Sequence, residues 1–89
     1  MRFAWDEAKR DANLRKHGLD FADAAEVFAG PTCTAEDSRL AYGERRFLSY
    51  GLLRGLAVSI VHTETEDEIR IISFRKATKR EAEFLRDSL

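Results

Sequence analysis

The chain has 89 residues, of which 44% are apolar and 35% charged, with a formal net charge of -1. That is enough apolar material for a core and too much for a disordered chain, and the length predicts one domain over residues 1–89 of modest stability. The near-neutral total argues against a generic nucleic-acid binder, and the lone Cys33 excludes an internal disulfide. With no zinc-ligand spacing, signal peptide or long apolar run, a cytoplasmic protein needing no metal or cofactor is expected.

Phe3, Ala4 and Trp5 predict a short first strand. Asp6 then suits an N-cap with Glu7 in the first turn, opening a helix over 6–17. Lys16 and His17 in its last turn complement the macrodipole, and Gly18 can take the left-handed conformation that ends it. Asp20 starts a second helix, with Phe21, Ala24, Ala25 and Phe28 on one apolar stripe, and Gly30 and Pro31 stop it. Thereafter the period turns toward two. Strands are expected over 32–36, 45–53, 56–63 and 68–76, with a polar loop over 37–44 and a tight hairpin at Arg54-Gly55. Thr78 and Glu81 have the spacing of a capping box for a last helix over 79–88, in which Ala82, Leu85, Phe84 and the following Leu89 offer docking surface. The order β-α-α-β-β-β-β-α predicts an α+β fold, a single antiparallel sheet with two N-terminal helices and one C-terminal helix packed on it.

Charge is distributed unevenly. Arg70, Arg75, Lys76, Lys79 and Arg80 make one basic block, preceded by Glu64, Glu66, Asp67 and Glu68, and Lys9, Arg10, Arg15 and Lys16 make a second. Such patches can focus a field on an anion although the sum is near zero. Cations at the start of the last helix repel one another and oppose its macrodipole, and a bound phosphate would relieve both effects. The bland alternative is a solvated face where screening keeps the repulsion small.

Three stretches, FAWDEAKRDANLRKHGLDFADAAEVF at 3–28, the acidic, aromatic, Gly-Glu-Arg region at 37–45 and RIISFRKATKRE at 70–81, span almost the whole chain. In combination they resemble the BrnT family, toxins of type II toxin-antitoxin systems related to the RelE-like ribonuclease toxins. The resemblance implies a RelE-like α+β toxin that cleaves RNA without a metal and so inhibits translation and growth. It also implies a ribbon-helix-helix antitoxin, BrnA, that neutralises the toxin and binds operator DNA. The alternative is a catalytically degenerate relative acting only as antitoxin partner and transcriptional corepressor.

Metal-independent cleavage needs a base for the 2'-hydroxyl, cations for the charge growing on phosphate and an acid for the leaving oxygen. The candidate catalytic residues are Arg75, Lys76, His17 and Arg70, with Lys16, Arg45, Tyr42 and Lys79 as RNA contacts. Strand alternation sets Ile71, Ser73 and Arg75 against Arg70, Ile72, Phe74 and Lys76, and leaves open which face is buried. His62 reads as a packed or rim histidine and Trp5 as core; Glu44 is a possible base; Tyr42 and Tyr50 could stack on bases. Many RelE-like toxins place a catalytic Tyr or His near the C-terminus, and after Arg75 this chain has neither.

Overall fold

The computed structural model describes residues 1–39, 41 and 43–89. Its elements are β1 (Arg2–Ala4), α1 (Glu7–His17), a 3-10 turn (Phe21–Asp23) running into the short α2 (Ala24–Phe28), β2 (Cys33–Asp37), β3 (Arg46–Leu53), β4 (Leu56–Glu64), β5 (Glu68–Lys76) and α3 (Lys79–Ser88). Local chemistry accounts for most of the boundaries. The Asp6 carboxylate accepts from the Lys9 N–H at 3.0 Å, and left-handed Gly18 donates its N–H to the Leu14 carbonyl at 2.8 Å. Arg54 (φ 49) and Gly55 (φ 85) both take positive φ, the requirement of a two-residue hairpin whose twist matches its strands. The second predicted helix is not one regular helix: Asp20 caps the 3-10 turn, and its buried stripe is Phe21, Ala24 and Val27, with Phe28 half-buried and Ala25 exposed.

The strand order is β1-β5-β4-β3-β2. The sheet is mixed, which corrects the antiparallel expectation. β2 to β5 pair antiparallel in sequence, but β1 lies parallel to β5, Phe3 opposite Ile69. Parallel pairing needs a long connection, and here nearly the whole chain supplies it. Trp5 falls outside β1 and packs against the core instead. No helix of the described residues is long and apolar enough to cross a membrane.

A bulge corrects the expected strand faces. Val61 pairs with Ser73 but His62 pairs with Ile71, so Ile72 is an extra residue on β5. Buried positions therefore run Ile69, Ile71, Phe74 rather than alternating throughout. One extra residue reverses parity beyond it. Arg70, Ser73 and Arg75 consequently share a face, where simple alternation had parted Arg70 from Arg75.

The core lies on the other face, where Phe21, Ala24 and Val27 pack on Val58, Ile60, Ile69, Ile71 and Phe74. Burying each large side chain there contributes about 1.5–3 kcal/mol. Gly51 of β3 sits under α2, and a Cβ in its place would come within 2.6 Å of Val27 Cγ1. α1 has no apolar stripe; its one buried residue is Asn13. The Asn13 side chain donates to the carbonyls of Phe74 (2.7 Å) and Leu19 (3.0 Å) and accepts from the Phe74 N–H (3.1 Å), taking the place of a strand beside β5. His62 is fully buried in the same layer: its Nε2 bonds Ser49 Oγ at 2.7 Å, Ser49 Oγ bonds Thr34 Oγ1 at 2.6 Å, and Phe28 and Phe47 enclose the ring.

α3 covers the opposite face only near the β3–β4 hairpin, where Ala82 and buried Leu85 lie with Leu52 and Ala57. Contrary to expectation, Phe84 and Leu89 do not bury themselves; Phe84 remains 53% exposed. Away from α3, toward Leu48, Val61 and Ser73, this face is only partly covered.

Candidate active site

On the α3 face the pairing register sets Tyr50, Ser59 and Arg75 side by side across β3, β4 and β5. The capping box of α3 brings Glu81 to them. Thr78 Oγ1 accepts from the Glu81 N–H at 3.1 Å, and Glu81 Oε1 accepts from the Thr78 N–H at 2.8 Å. The same carboxylate receives the Arg75 guanidinium through two bonds, Nη1 to Oε1 at 2.7 Å and Nη2 to Oε2 at 2.9 Å. Glu81 thus starts the helix and fixes the arginine with one group.

The electrostatics follow from that contact. The Arg75 hydrogen bonds, helped by the Thr78 N–H, hold the Glu81 carboxyl down at about 2. Burial, reinforced by the Glu81 carboxylate beside it, pushes the Tyr50 phenol upward, so it keeps its proton at neutral pH. Arg39 chelates the buried Asp37 carboxylate at 2.7 and 2.8 Å and is near enough to Tyr50 and Arg75 to oppose both upward shifts. Asp37 lies opposite Arg46 in the β2–β3 pairing. Ser59 Oγ, buried between Tyr50 and Arg75, has no hydrogen-bond partner among the described residues. Cations and a protonated phenol on an open face suit an oxyanion, which draws charge stabilisation from the first and a proton from the second.

The residues expected from sequence are scattered. Arg75 is at the centre. Lys76 is exposed and alternates to the other side of β5, opposite Val58, and Lys79 is exposed in the first turn of α3. Arg70 shares the face of Arg75 but lies five residues away along β5, opposite Thr63. Lys16 and His17 line a shallow groove with Ile72 and Ser73 at the α1 edge of β5. Arg45 bonds Glu36 at 2.9 Å and lies over Phe47, whose ring belongs to the core side of the sheet. Glu44 pairs with Arg46 at 3.3 Å. Tyr42 lies outside the described residues. Arg10 and Arg15 of the N-terminal basic cluster are engaged by Asp20 and Asp11. No three His, Cys, Asp or Glu side chains come together as a cation site among the described residues.

The family model for "Ribonuclease toxin, BrnT, of type II toxin-antitoxin system" matches residues 5–81. The chain belongs to the BrnT family. It is similar in structure to the crystal structure of the Brucella abortus ribonuclease toxin, BrnT, with 30% sequence identity and a TM-score of 0.68, over 89% of this chain and 99% of that one. No curated protein sequence matches it. BrnT membership places the chain in a family of ribonuclease toxins of type II toxin-antitoxin systems, which implies RNA as substrate and an antitoxin as partner.

Within this BrnT-family chain, sequence reading passed over Arg39, Ser59 and the second role of Glu81. Arg39 was hidden in a loop, and Ser59 in an apolar strand. Glu81 was legible as a cap, and its spacing from Arg75 was visible; the missing information was that the strand-to-helix turn folds the two together.

Proposed function

We propose that this protein is an endoribonuclease that cleaves RNA without a metal through the Arg75 cluster. The observation that carries this reading is the bidentate Arg75–Glu81 pair beside the Tyr50 phenol and Arg39, at the N-terminal end of α3. The 2'-oxygen attacks the adjacent phosphorus, its proton passing to solvent water as the O2'–P bond forms, and the P–O5' bond breaks. Arg75 and Arg39 stabilise the equatorial oxygens of the phosphorane, and Tyr50 gives its proton to the departing 5'-oxygen. Glu81 is a positioning residue: a carboxyl held at about 2 is a poor proton acceptor near neutral pH, but it locks the guanidinium plane. Arg70, Lys16, His17, Lys76, Lys79 and Arg45 act, on this reading, as outlying contacts along the RNA and not at the reacting phosphate.

A BrnA-like ribbon-helix-helix antitoxin neutralises the toxin by covering this face and carries the complex to operator DNA. RNA incubated with antitoxin-free protein in excess EDTA, with and without ribosomes, is expected to be cut. Arg75→Ala is expected to lower the rate about 100-fold or more while the far-UV spectrum is unchanged. Intact RNA under both conditions contradicts the reading.

A second reading, a degenerate corepressor, is favoured by the absence of an imidazole from the Arg75 cluster: His62 is sealed in the core, and His17 lies with Ile72 and Ser73. It requires tight antitoxin binding without growth arrest on expression.

A further inference from the structure

We infer that the cleft between β2, β3 and α3 receives one unpaired base of the RNA, next to the phosphate held at Arg75. This rests on the ribonuclease reading and adds to it a site that reads the substrate. The cleft holds about 490 Å³, and Cys33, Ala35, Leu48, Tyr50 and Phe84 give it apolar walls. That volume is within the range of small-ligand sites.

Phe84 is the first clue to the occupant. It projects 53% exposed from a helix that is held by its buried neighbour Leu85, so its ring is not needed for docking α3. It meets Tyr50 at 6.0 Å with the ring planes at 78°, making an aromatic corner against which a flat heterocycle can pack one face and one edge. The second clue is charge. Glu81, the one acidic side chain on the cleft wall among the described residues, is neutralised by Arg75, and Arg80 lines the same wall. The rim is therefore cationic, complementary to the phosphates that flank a base.

Size separates a base from a protein segment. Along β2 the cleft runs only from Cys33 to Ala35, about 7 Å at ~3.3 Å per residue. An α-helix with its side chains is about 10–12 Å across. A single base fits the opening; an amphipathic helix has to lie over it.

Backbone resonances of the full-length, antitoxin-free protein are followed during titration with adenosine 3'-monophosphate, and in parallel with ribose 5-phosphate and inorganic phosphate. The nucleotide is expected to move Ala35, Leu48 and Phe84 saturably, while the two phosphates lacking a base leave these residues in place. Phe84→Ala is expected to weaken nucleotide binding about tenfold, the scale of one lost base–aromatic stack, and to leave inorganic phosphate binding unchanged. Cleft resonances that stay still with the nucleotide, or respond equally to ribose 5-phosphate, overturn the inference. So does a cleft that responds only to the antitoxin, with Phe84→Ala weakening that complex. The outcomes separate from those of the catalytic reading: a filled cleft with uncut RNA leaves the base site standing and removes the ribonuclease, whereas cut RNA with a silent cleft does the reverse.

Discussion

Asn13 does the work of a strand. Beyond the three-residue β1, the outer edge of β5 has no neighbouring strand among the described residues, and the Asn13 amide fills that place with a donor to Phe74 O and an acceptor for Phe74 N. Because α1 lacks an apolar stripe, this polar contact is its main anchor. Asn13→Ala leaves two buried backbone groups unsatisfied and is expected to lower stability by about 2–4 kcal/mol, read from the urea midpoint. His62 makes a different demand. Burial lowers its pKa from 6.5 to about 4. Glu64 Oε1 lies 3.4 Å from Nδ1, but the neutral ring makes no ion pair with it near neutrality, and Nδ1 forms no hydrogen bond among the described residues. Between these two values the unfolded chain takes up a proton that the folded chain refuses. Stability is therefore full above pH 6.5 and falls as the pH drops toward 4, by about 3 kcal/mol at most. Urea melts at pH 7.5 and 5 are expected to show the loss in wild type, and His62→Phe to flatten it. The Arg75–Glu81 pair gives way only at lower pH, since the Glu81 pKa falls from 4.5 to about 2: its contribution is present above 4.5 and lost as the pH passes through 2.

At the scale of elements, α2 approaches β3 closely at Gly51. Gly51 has no room for a side chain under Val27. Gly51→Ala is expected to cost about 1–3 kcal/mol by overpacking. Combined with Val27→Ala it is expected to cost less than the sum of the two, the mark of residues in direct contact. The helix caps, the Arg54-Gly55 hairpin and the capping box at Thr78 and Glu81 were legible in the sequence because each depends on residues a few positions apart. The parallel β1–β5 pairing was not, since it joins residues 66 apart such as Arg2 and Glu68 and no local periodicity encodes it. The bulge at Ile72 escaped for a related reason: the Ile71-Ile72 doublet leaves both strand faces mixed, and only pairing with Val61 and His62 shows where the parity changes. The candidate site inherited that error. Arg75 was picked out by charge, but its partners come from four other places in the chain: Arg39 beyond β2, Tyr50 in β3, Ser59 in β4 and Glu81 in α3.

For the whole molecule, a net charge near zero is compatible with an anion-binding face because the guanidinium groups at the site are held oriented by their carboxylates. Carboxylates engage Arg10, Arg15, Arg45 and Arg54 away from the α3 face and Arg2 at the far end of β5, while Glu81 and Asp37 hold Arg75 and Arg39 on the α3 face with their guanidinium groups oriented. RNA affinity is therefore expected to fall with rising salt, and Lys76→Ala or Lys79→Ala to weaken it modestly with little change in cleavage rate, in contrast to Arg75→Ala. A cluster built to stabilise a phosphorane from a 2'-hydroxyl attack has a chemical signature in its products. The most direct test is to map the ends left on an RNA cut in excess EDTA by wild type and by Arg75→Ala. The expected ends are a 2',3'-cyclic phosphate and a 5'-hydroxyl in wild type, with neither formed by Arg75→Ala. Ends bearing a 5'-phosphate, or equal cleavage by the folded Arg75→Ala protein, contradict the account.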